Sequence, residues 1–231
     1  MKTIGIIGGM SFESTLSYYQ SINELVKEKL GGLNSAKIAL LSLNFEEIAK
    51  LQRENKWDES AEILTQSALK LEKIGVDFIL IATNTMHKVL PVIKKQIKTP
   101  FIHIAESVGE ELKNNNIKKA LLLGTKFTMS ENFYKDILNN FGLETIIPNN
   151  EEMEIINSII FDELCQGKIL ESSKEKYLNI IESYKEAEAV ILGCTEIGML
   201  IKEQDCKIKL FDTTKIHIKK AVELALNNIH S

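Results

Sequence analysis

Short β-rich apolar runs alternate with longer amphipathic runs along the whole 231-residue chain. Gly75 and Gly142 follow two of the amphipathic runs, where glycine ends a helix in the left-handed conformation. This alternation, with strands that are apolar throughout, predicts parallel sheets covered by helices on both faces. The predicted fold class is therefore α/β. Strands are predicted at Thr3–Ile7, Ile38–Leu43, Phe78–Ala82, Phe101–Ile102, Lys119–Leu123, Glu144–Ile146, Ala189–Leu192 and Lys209–Phe211. Helices are predicted at Ser14–Leu30, Asp58–Ile74, Ser107–Asn114, Ser130–Phe141, Glu151–Gln166 and Ser173–Tyr184.

The pattern repeats coarsely once. "TIGIIGGMS" at 3–11 and "ALLLGTKFTMS" at 120–130 each combine a strand, a glycine turn and the start of a helix. A polar turn follows a later strand in each half, at Thr83 and at Cys194. Ligands of open parallel sheets bind at the carboxyl ends of strands. If the two halves face each other, the four turns line one cleft.

The composition and charge of the chain argue against several classes of protein, among them nucleic-acid-binding, zinc-binding and membrane proteins. Hydrophobic residues make up 44% of the chain and charged residues 26%, which is ordinary for globular domains. The net charge of −4 and the scattered lysines give no reason to expect nucleic acid as a partner. Three cysteines without CxxC spacing predict neither a zinc site nor a disulfide framework. The apolar run in "MKTIGIIGGM" is too short for a signal peptide, and no stretch has membrane-spanning length. We expect a cytoplasmic protein without a membrane partner.

The glycine turn "IIGGMS" admits two interpretations. It lacks the GxGxxG spacing, and no suitable acidic residue follows a second strand, so a dinucleotide site is weakly supported. Backbone N–H groups near Met10 and Ser11, at the start of a helix, would suit a small anion such as a carboxylate. A tight turn packed against the sheet is the other interpretation.

The two polar turns carry the reactive side chains. In "TNTMHK", Thr83, Asn84 and Thr85 either cap the following helix or bind a ligand, and His87 is interpreted as a satisfied helix residue. In "GCTE", Cys194 ends a buried strand just before a helix N-terminus, where the helix dipole lowers a thiol pKa. Cys194 is therefore predicted to be reactive, whereas Cys165 and Cys206 lack such a setting.

Several motifs together resemble the aspartate/glutamate racemases, and the resemblance covers nearly the whole chain. It implies two pseudo-symmetric α/β domains, 1–98 with 213–231 and 99–212, with the active site in the cleft between them. It also implies a small amino-acid substrate, no cofactor, no metal and a homodimer. The C-terminal helix from Lys215 is expected to pack on the first domain. The motifs are "GIIGGMSFEST", "LGGLNSA", Gln52 with Trp57, "TNTMHK", "PFIHIAES", "LLGTKFTM", "ELCQG", "VILGCTEI" and "DTTKIH".

The resemblance also implies a mechanism. Racemisation needs two acid/base groups on opposite faces of the α-carbon, and the family typically uses two cysteines. Hydrogen-bond donors at the substrate carboxylate must stabilise the carbanion. A cation must hold the distal carboxylate: Lys174 is the first candidate, with Lys168 and Arg53 as others, although each could equally lie on a solvated helix surface. The implied substrate-binding residues are Met10, Ser11, Gln52, Asn84, Thr85, Thr125, Thr195, Lys174 and Lys168.

Thr83 stands where the family's first catalytic cysteine is usual. A threonine hydroxyl is too weak an acid to be ionised at neutral pH, so Thr83 would donate a proton better than it would remove one. Family members with threonine here are described as L-specific or broad-specificity amino-acid racemases. The resemblance thus implies Cys194 as the competent acid/base and a kinetically asymmetric enzyme. Two alternatives remain open: another isomerase or lyase on the same scaffold, such as a hydantoin racemase, a maleate isomerase or a decarboxylase, or a non-catalytic dicarboxylate-binding protein.

Overall fold

The structure is a computed structural model that describes residues 1–227, and the chain divides into two compact units. The first unit is Met1–His103 together with the segment that begins at His217, and the second is Ile104–Ile216.

A three-stranded parallel sheet forms the centre of the first unit, in the order β2-β1-β3. A further parallel bridge joins Ile79 to Phe101, where the sequence predicts a fourth strand. The strands predicted at 3–7, 38–43 and 78–82 and the helices predicted at 14–30 and 58–74 are present, whereas the strand predicted at Phe101–Ile102 is reduced to this bridge. Phe45–Arg53 is an additional helix. The elements are β1 (Thr3–Gly8), α1 (Phe12–Leu30), β2 (Lys37–Ser42), α2 (Phe45–Arg53), α3 (Trp57–Ile74), β3 (Phe78–Ile81), a 3-10 turn (Thr85–Val89) and α4 (Leu90–Ile93).

Strand β1 has a buried core on both faces. Ile4 and Ile6 point to one face, where they join Tyr18 of α1 in one cluster of buried side chains. Ile7 points to the other face and joins Leu64 of α3 in a second cluster. This two-residue alternation on a strand that is apolar throughout is what a sheet covered on both sides requires.

A four-stranded parallel sheet forms the centre of the second unit, in the order β5-β4-β6-β7. On β6, Val190 and Leu192 face one core, and Ala189 and Ile191 face the other. The elements are α5 (Ile104–Asn114), β4 (Lys119–Gly124), α6 (Lys126–Ser130), α7 (Asn132–Asn140), β5 (Glu144–Ile146), α8 (Asn150–Ser158), α9 (Glu171–Ser183), β6 (Ala189–Gly193), α10 (Ile197–Leu200), β7 (Lys209–Asp212) and α11 (Thr213–Leu226).

The helix predicted at Glu151–Gln166 is interrupted. Helix α8 ends at Ser158, a π-helical turn spans Ile159–Glu163, and a 3-10 turn at Leu164–Gln166 ends on Gly167 with φ +70°. The inserted residue of a π turn rotates the segment that follows it. Ile159 and Leu164 are both buried in the core that contains Cys194.

Helix α11 begins at Thr213, and from His217 onward it belongs to the first unit. Ile218, Ala221 and Val222 are buried against the core of that unit, together with Tyr18. Helix α11 thus contributes side chains to the core of the first unit. None of the helices within residues 1–227 is long and apolar enough to cross a bilayer.

Candidate active site

The Thr83 turn leaves the sheet of the first unit beside the glycine turn. Ile81 of β3 pairs with Ile7 of β1, and the Ala82 amide donates to the Ile7 carbonyl at 2.9 Å. Ser14 on α1 also donates its hydroxyl to the Ala82 carbonyl at 2.8 Å. The two turns therefore lie at the same carboxyl edge, and α1 is tied to both strands.

The glycine turn is held by the first turn of α1. Gly9 has φ +83°, and a Cβ at this position would lie 2.1 Å from the Leu43 carbonyl oxygen. The Gly9 amide donates to Oγ1 of Thr15 at 2.7 Å, and Ser11 caps the helix by accepting from the Ser14 amide at 3.2 Å. The Met10 side chain is buried in the core, so Met10 offers only its backbone. The N-terminus of a 19-residue helix at this edge suits an anionic group.

Three polar side chains lie in the turn after β3. Asn84 and Thr85 are buried, whereas Thr83 is partly exposed. Gln52 of α2 is also buried, and its Nε2 donates to Sδ of Met86 at 3.0 Å, which places it beside the turn. Arg53 instead forms an exposed ion pair with Glu46 at 2.6 Å.

In the second unit, Thr125 and Cys194 follow adjacent strands. Gly124 of β4 pairs with Gly193 of β6, and a Cβ on Gly124 would lie 2.8 Å from the Gly193 carbonyl oxygen. Two glycines let the backbones approach closely here, so the residues after them emerge side by side. Thr125 caps α6 by accepting from the Thr128 amide at 3.3 Å.

Glu196 turns back toward Cys194. Its side chain is 3% exposed, and Oε2 accepts hydrogen bonds from Sγ of Cys194 at 3.0 Å and from Oγ1 of Thr195 at 2.5 Å. Oε1 lies 3.8 Å from Sγ of Cys165. The Cys165 thiol therefore lies beside the same carboxylate as Cys194.

The expectation of a lowered thiol pKa is wrong. Burial raises the pKa of Cys194 well above its usual value, and the negative charge of Glu196 raises it further. The helix dipole is too weak to reverse this, because α10 has four residues and begins three positions after Cys194. Cys194 therefore rests as a thiol whose proton is directed at a carboxylate.

The two candidate lysines differ in their partners. Lys174 Nζ forms an ion pair with Oδ1 of Asp205 at 2.7 Å, and this hydrogen bond raises its pKa. Lys168 Nζ donates to the neutral Oε1 of Gln166 at 2.8 Å. Lys168 also lies three residues from Cys165, which contacts Glu196.

Two features of the site were missed from sequence. The motif "GCTE" contains Glu196, but no sequence pattern shows that its carboxylate is buried and turns back onto Cys194. His87 is a satisfied residue, as predicted, since its Nδ1 lies 2.9 Å from the Thr83 carbonyl oxygen. What the sequence does not indicate is that two further histidines, His103 and His217, surround it.

Comparison with known proteins gives a consistent result. A family model described as Asp/Glu/Hydantoin racemase matches residues 7–221. Broad specificity amino-acid racemase RacX of Bacillus subtilis is 25% identical over 225 residues, which are 96% of this chain and 98% of that protein. The crystal structure of an aspartate racemase homologue from Pyrococcus horikoshii is 40% identical, with a TM-score of 0.84 over 97% of this chain and 99% of the other. The aspartate racemase of Picrophilus torridus shares the fold at 22% identity, with a TM-score of 0.75 over 97% and 94% of the two chains.

Proposed function

The chain belongs to the Asp/Glu/hydantoin racemase family, and from this premise we propose that it racemises aspartate or glutamate without a cofactor. The Cys194–Glu196 hydrogen bond is the observation that carries the proposal, since it supplies a thiol with a proton acceptor at the carboxyl end of a strand. The names of two relatives, an amino-acid racemase and an aspartate racemase homologue, support the substrate class.

We assign the two faces of the substrate α-carbon to Cys194 and Thr83. Each follows the carboxyl end of an apolar strand in its own unit, next to backbone amides and short hydroxyl side chains. Removal of the α-proton by one group and return of a proton by the other inverts the centre.

On the Cys194 side, Glu196 takes part in the first step. The thiol proton passes from Sγ to Oε2 of Glu196, which leaves a thiolate beside a carboxylic acid. The thiolate then removes the α-proton of the L-enantiomer, so Sγ is again a thiol and the substrate is a carbanion. Glu196 holds the first proton during this step and releases it to solvent afterwards.

On the Thr83 side, the hydroxyl donates its proton to the carbanion and recovers one from water. The reverse step is slow because a threonine alkoxide hardly forms at neutral pH. The equilibrium constant between enantiomers is 1, so kcat/KM for racemisation is the same in both directions. The asymmetry therefore shows in exchange of the α-proton with solvent, which Cys194 can catalyse for the L-enantiomer without inversion.

The substrate carboxylate at the α-carbon is bound by the amides of the Met10–Ser11 turn and by Asn84, Thr85, Thr125 and Thr195. Gln52 contributes to the same shell. For the distal carboxylate we favour Lys168 over Lys174, because Lys174 already pairs with Asp205. A substrate carboxylate would have to compete with that ion pair.

We further propose a homodimer. Helix α1 exposes Phe12, Leu16 and Tyr19 by 68%, 59% and 50%. These positions are spaced four and three residues apart, so they share one helix face. A second copy of the chain, packed on this face, would remove the three side chains from water.

Proton exchange in deuterated buffer tests the function. We expect NMR to show loss of the α-proton of L-aspartate or L-glutamate, with slower appearance of the D-enantiomer. Cys194→Ala should abolish both. If a folded protein exchanged the α-proton of none of L-aspartate, D-aspartate, L-glutamate and D-glutamate, the proposed aspartate or glutamate racemase would be ruled out. A binding protein or an isomerase acting on another substrate would then remain.

A further inference from the structure

Three buried histidines meet behind the Thr83 turn. The ring centroids of His87 and His103 are 4.6 Å apart, and those of His87 and His217 are 5.9 Å apart. The three residues are between 0% and 6% exposed. They come from the 3-10 turn after β3, from the segment before α5 and from α11, and all belong to the first unit.

The hydrogen bonds of His217 fix its tautomer. Nε2 lies 3.0 Å from the Ile102 carbonyl oxygen, which can only accept, so Nε2 carries the proton. Nδ1 lies 2.7 Å from the Tyr18 hydroxyl and accepts from it. His217 is thereby held at both ring nitrogens, by α1 on one side and by residue 102 on the other.

The His87 ring forms a hydrogen bond with the backbone of the Thr83 turn. Nδ1 lies 2.9 Å from the Thr83 carbonyl oxygen, so Nδ1 carries the proton and donates it. The His87 amide donates to the Asn84 carbonyl at 3.1 Å, which closes the turn from the backbone. The Thr83 peptide is therefore fixed by a ring that cannot rotate without losing contact with two other buried rings.

These histidines are uncharged at neutral pH. Burial lowers the pKa of His103 to about 3, with Lys94 and His217 acting in the same direction. Burial also lowers the pKa of His217 to about 4 and that of His87 well below its usual range. Among the described residues, no group of three or more His, Cys, Asp or Glu is arranged to hold a metal ion. These observations do not favour proton transfer or metal binding as the role of the cluster. They fit a role in holding neighbouring groups in position.

We propose that His87 is a positioning residue for the Thr83 side of the reaction, and that His103, His217 and Tyr18 hold its ring in place. This inference rests on the proposed function, in which Thr83 returns the proton. The Nδ1–H donor fixes the Thr83 peptide and so sets the direction in which the Thr83 hydroxyl points.

The test compares His87→Asn with His87→Gln. The amide nitrogen of asparagine can occupy the place of Nδ1, whereas that of glutamine reaches the place of Nε2. Each reaction starts from the L-enantiomer in deuterated buffer. The measured quantity is the ratio of the rate of α-proton exchange to the rate of inversion. His87→Gln should raise this ratio about fivefold, since losing a well-placed hydrogen bond costs about 1 kcal/mol. His87→Asn should keep the ratio within about twofold of the wild-type value, because the hydrogen bond to the Thr83 carbonyl is retained. A change of that size is within the uncertainty of a hydrogen-bond free energy.

A merely structural role for His87 would lower exchange and inversion together and leave the ratio unchanged, which would overturn the proposal. The wild-type protein offers a second test that needs neither a variant nor activity. The ¹⁵N spectrum of histidine-labelled protein at pH 7 should show His87 protonated at Nδ1 and His217 at Nε2. An Nε2-protonated His87 would overturn the proposal, even if the wild type proved to be no racemase.

Discussion

Sγ of Cys194 lies 3.0 Å from Oε2 of Glu196, in a stretch where both side chains are buried. A carboxylate at this distance opposes formation of the thiolate by its charge, and it can accept the proton that the thiol must lose. Both effects follow from the same contact. In the proposed mechanism, the Cys194 side of the reaction therefore depends on Glu196, two positions along the chain.

Replacing Glu196 by glutamine should make the Cys194 thiolate easier to form. The substitution removes the negative charge beside the thiol, which is the largest cause of the raised pKa after burial. The thiolate absorbance near 240 nm, after subtraction of the Cys194→Ala spectrum, should rise at a lower pH than in wild type. Exchange of the L-enantiomer's α-proton should nevertheless fall, because the proton acceptor is lost. An unchanged thiol titration would show that the carboxylate does not control it.

Lys168→Met should raise KM for aspartate or glutamate about tenfold or more, since a charge-assisted hydrogen bond contributes about 1.5–3 kcal/mol. Lys174→Met is the matched control. Because Lys174 is paired with Asp205, its loss should affect folding stability more than KM. Steady-state racemisation assays and thermal melts of both variants separate the two effects. The reverse pattern would assign the distal carboxylate to Lys174.

Mild acid should destabilise the first unit through its histidines. His103 and His217 have pKa values of about 3 and about 4 in the folded protein, compared with 6.5 as the usual value. Between these limits the unfolded chain binds more protons than the folded one, so stability rises with pH and is lost as pH falls from about 6.5. Between about pH 6 and pH 5, before the carboxylates titrate, each histidine should lower the free energy of unfolding by about 1 kcal/mol per pH unit of acidification.

Urea unfolding at pH 6.5, 6.0, 5.5 and 5.0 measures this dependence. His217→Gln is the control, because its amide can still donate to the Ile102 carbonyl and it does not titrate. Its stability should fall less steeply with acid than that of wild type. Equal slopes for the two proteins would contradict the prediction.

Gly9→Ala should unfold the protein or destabilise it by about 3 kcal/mol or more. Left-handed backbone costs a residue with a Cβ about 1–2 kcal/mol. The new Cβ would in addition lie 2.1 Å from the Leu43 carbonyl oxygen, which overpacks the turn. Gly142→Ala separates the two costs, because Gly142 has φ +79° with open space around its Cβ. It should lose about 1–2 kcal/mol only, as measured by urea unfolding.

Leu16→Glu should weaken the proposed dimer about 100-fold, since it removes a buried apolar side chain and places a charge in the interface. Ile74→Glu is the control: Ile74 is 66% exposed, on α3 rather than on the α1 face. Sedimentation velocity over a range of concentrations should show monomers for Leu16→Glu and dimers for wild type and Ile74→Glu. A wild-type protein that is monomeric at all concentrations would remove the dimer from the proposal.

Much of the fold could be predicted from local pattern. Strands β4 and β6 each differ by one residue from prediction, because four consecutive apolar residues between a charged residue and a glycine leave few alternatives. Local pattern failed at the helix predicted over Glu151–Gln166. No glycine or proline in the sequence marks the π turn that interrupts this helix. The feature that distinguishes the interruption is tertiary, since Ile159 and Leu164 are both buried in the core there.

The sequence by itself determined which chemical groups end the strands of this protein: a thiol after β6, a hydroxyl after β3 and a glycine turn after β1. These are properties of neighbouring residues, and neighbours are visible in a sequence. The tertiary structure alone decided how those groups ionise and what holds them. Burial of Cys194 beside Glu196 reversed the expected direction of its pKa, and residues 87, 103 and 217 became one cluster. Charge and hydrogen bonding depend on distance and solvent exclusion, which only the folded chain defines.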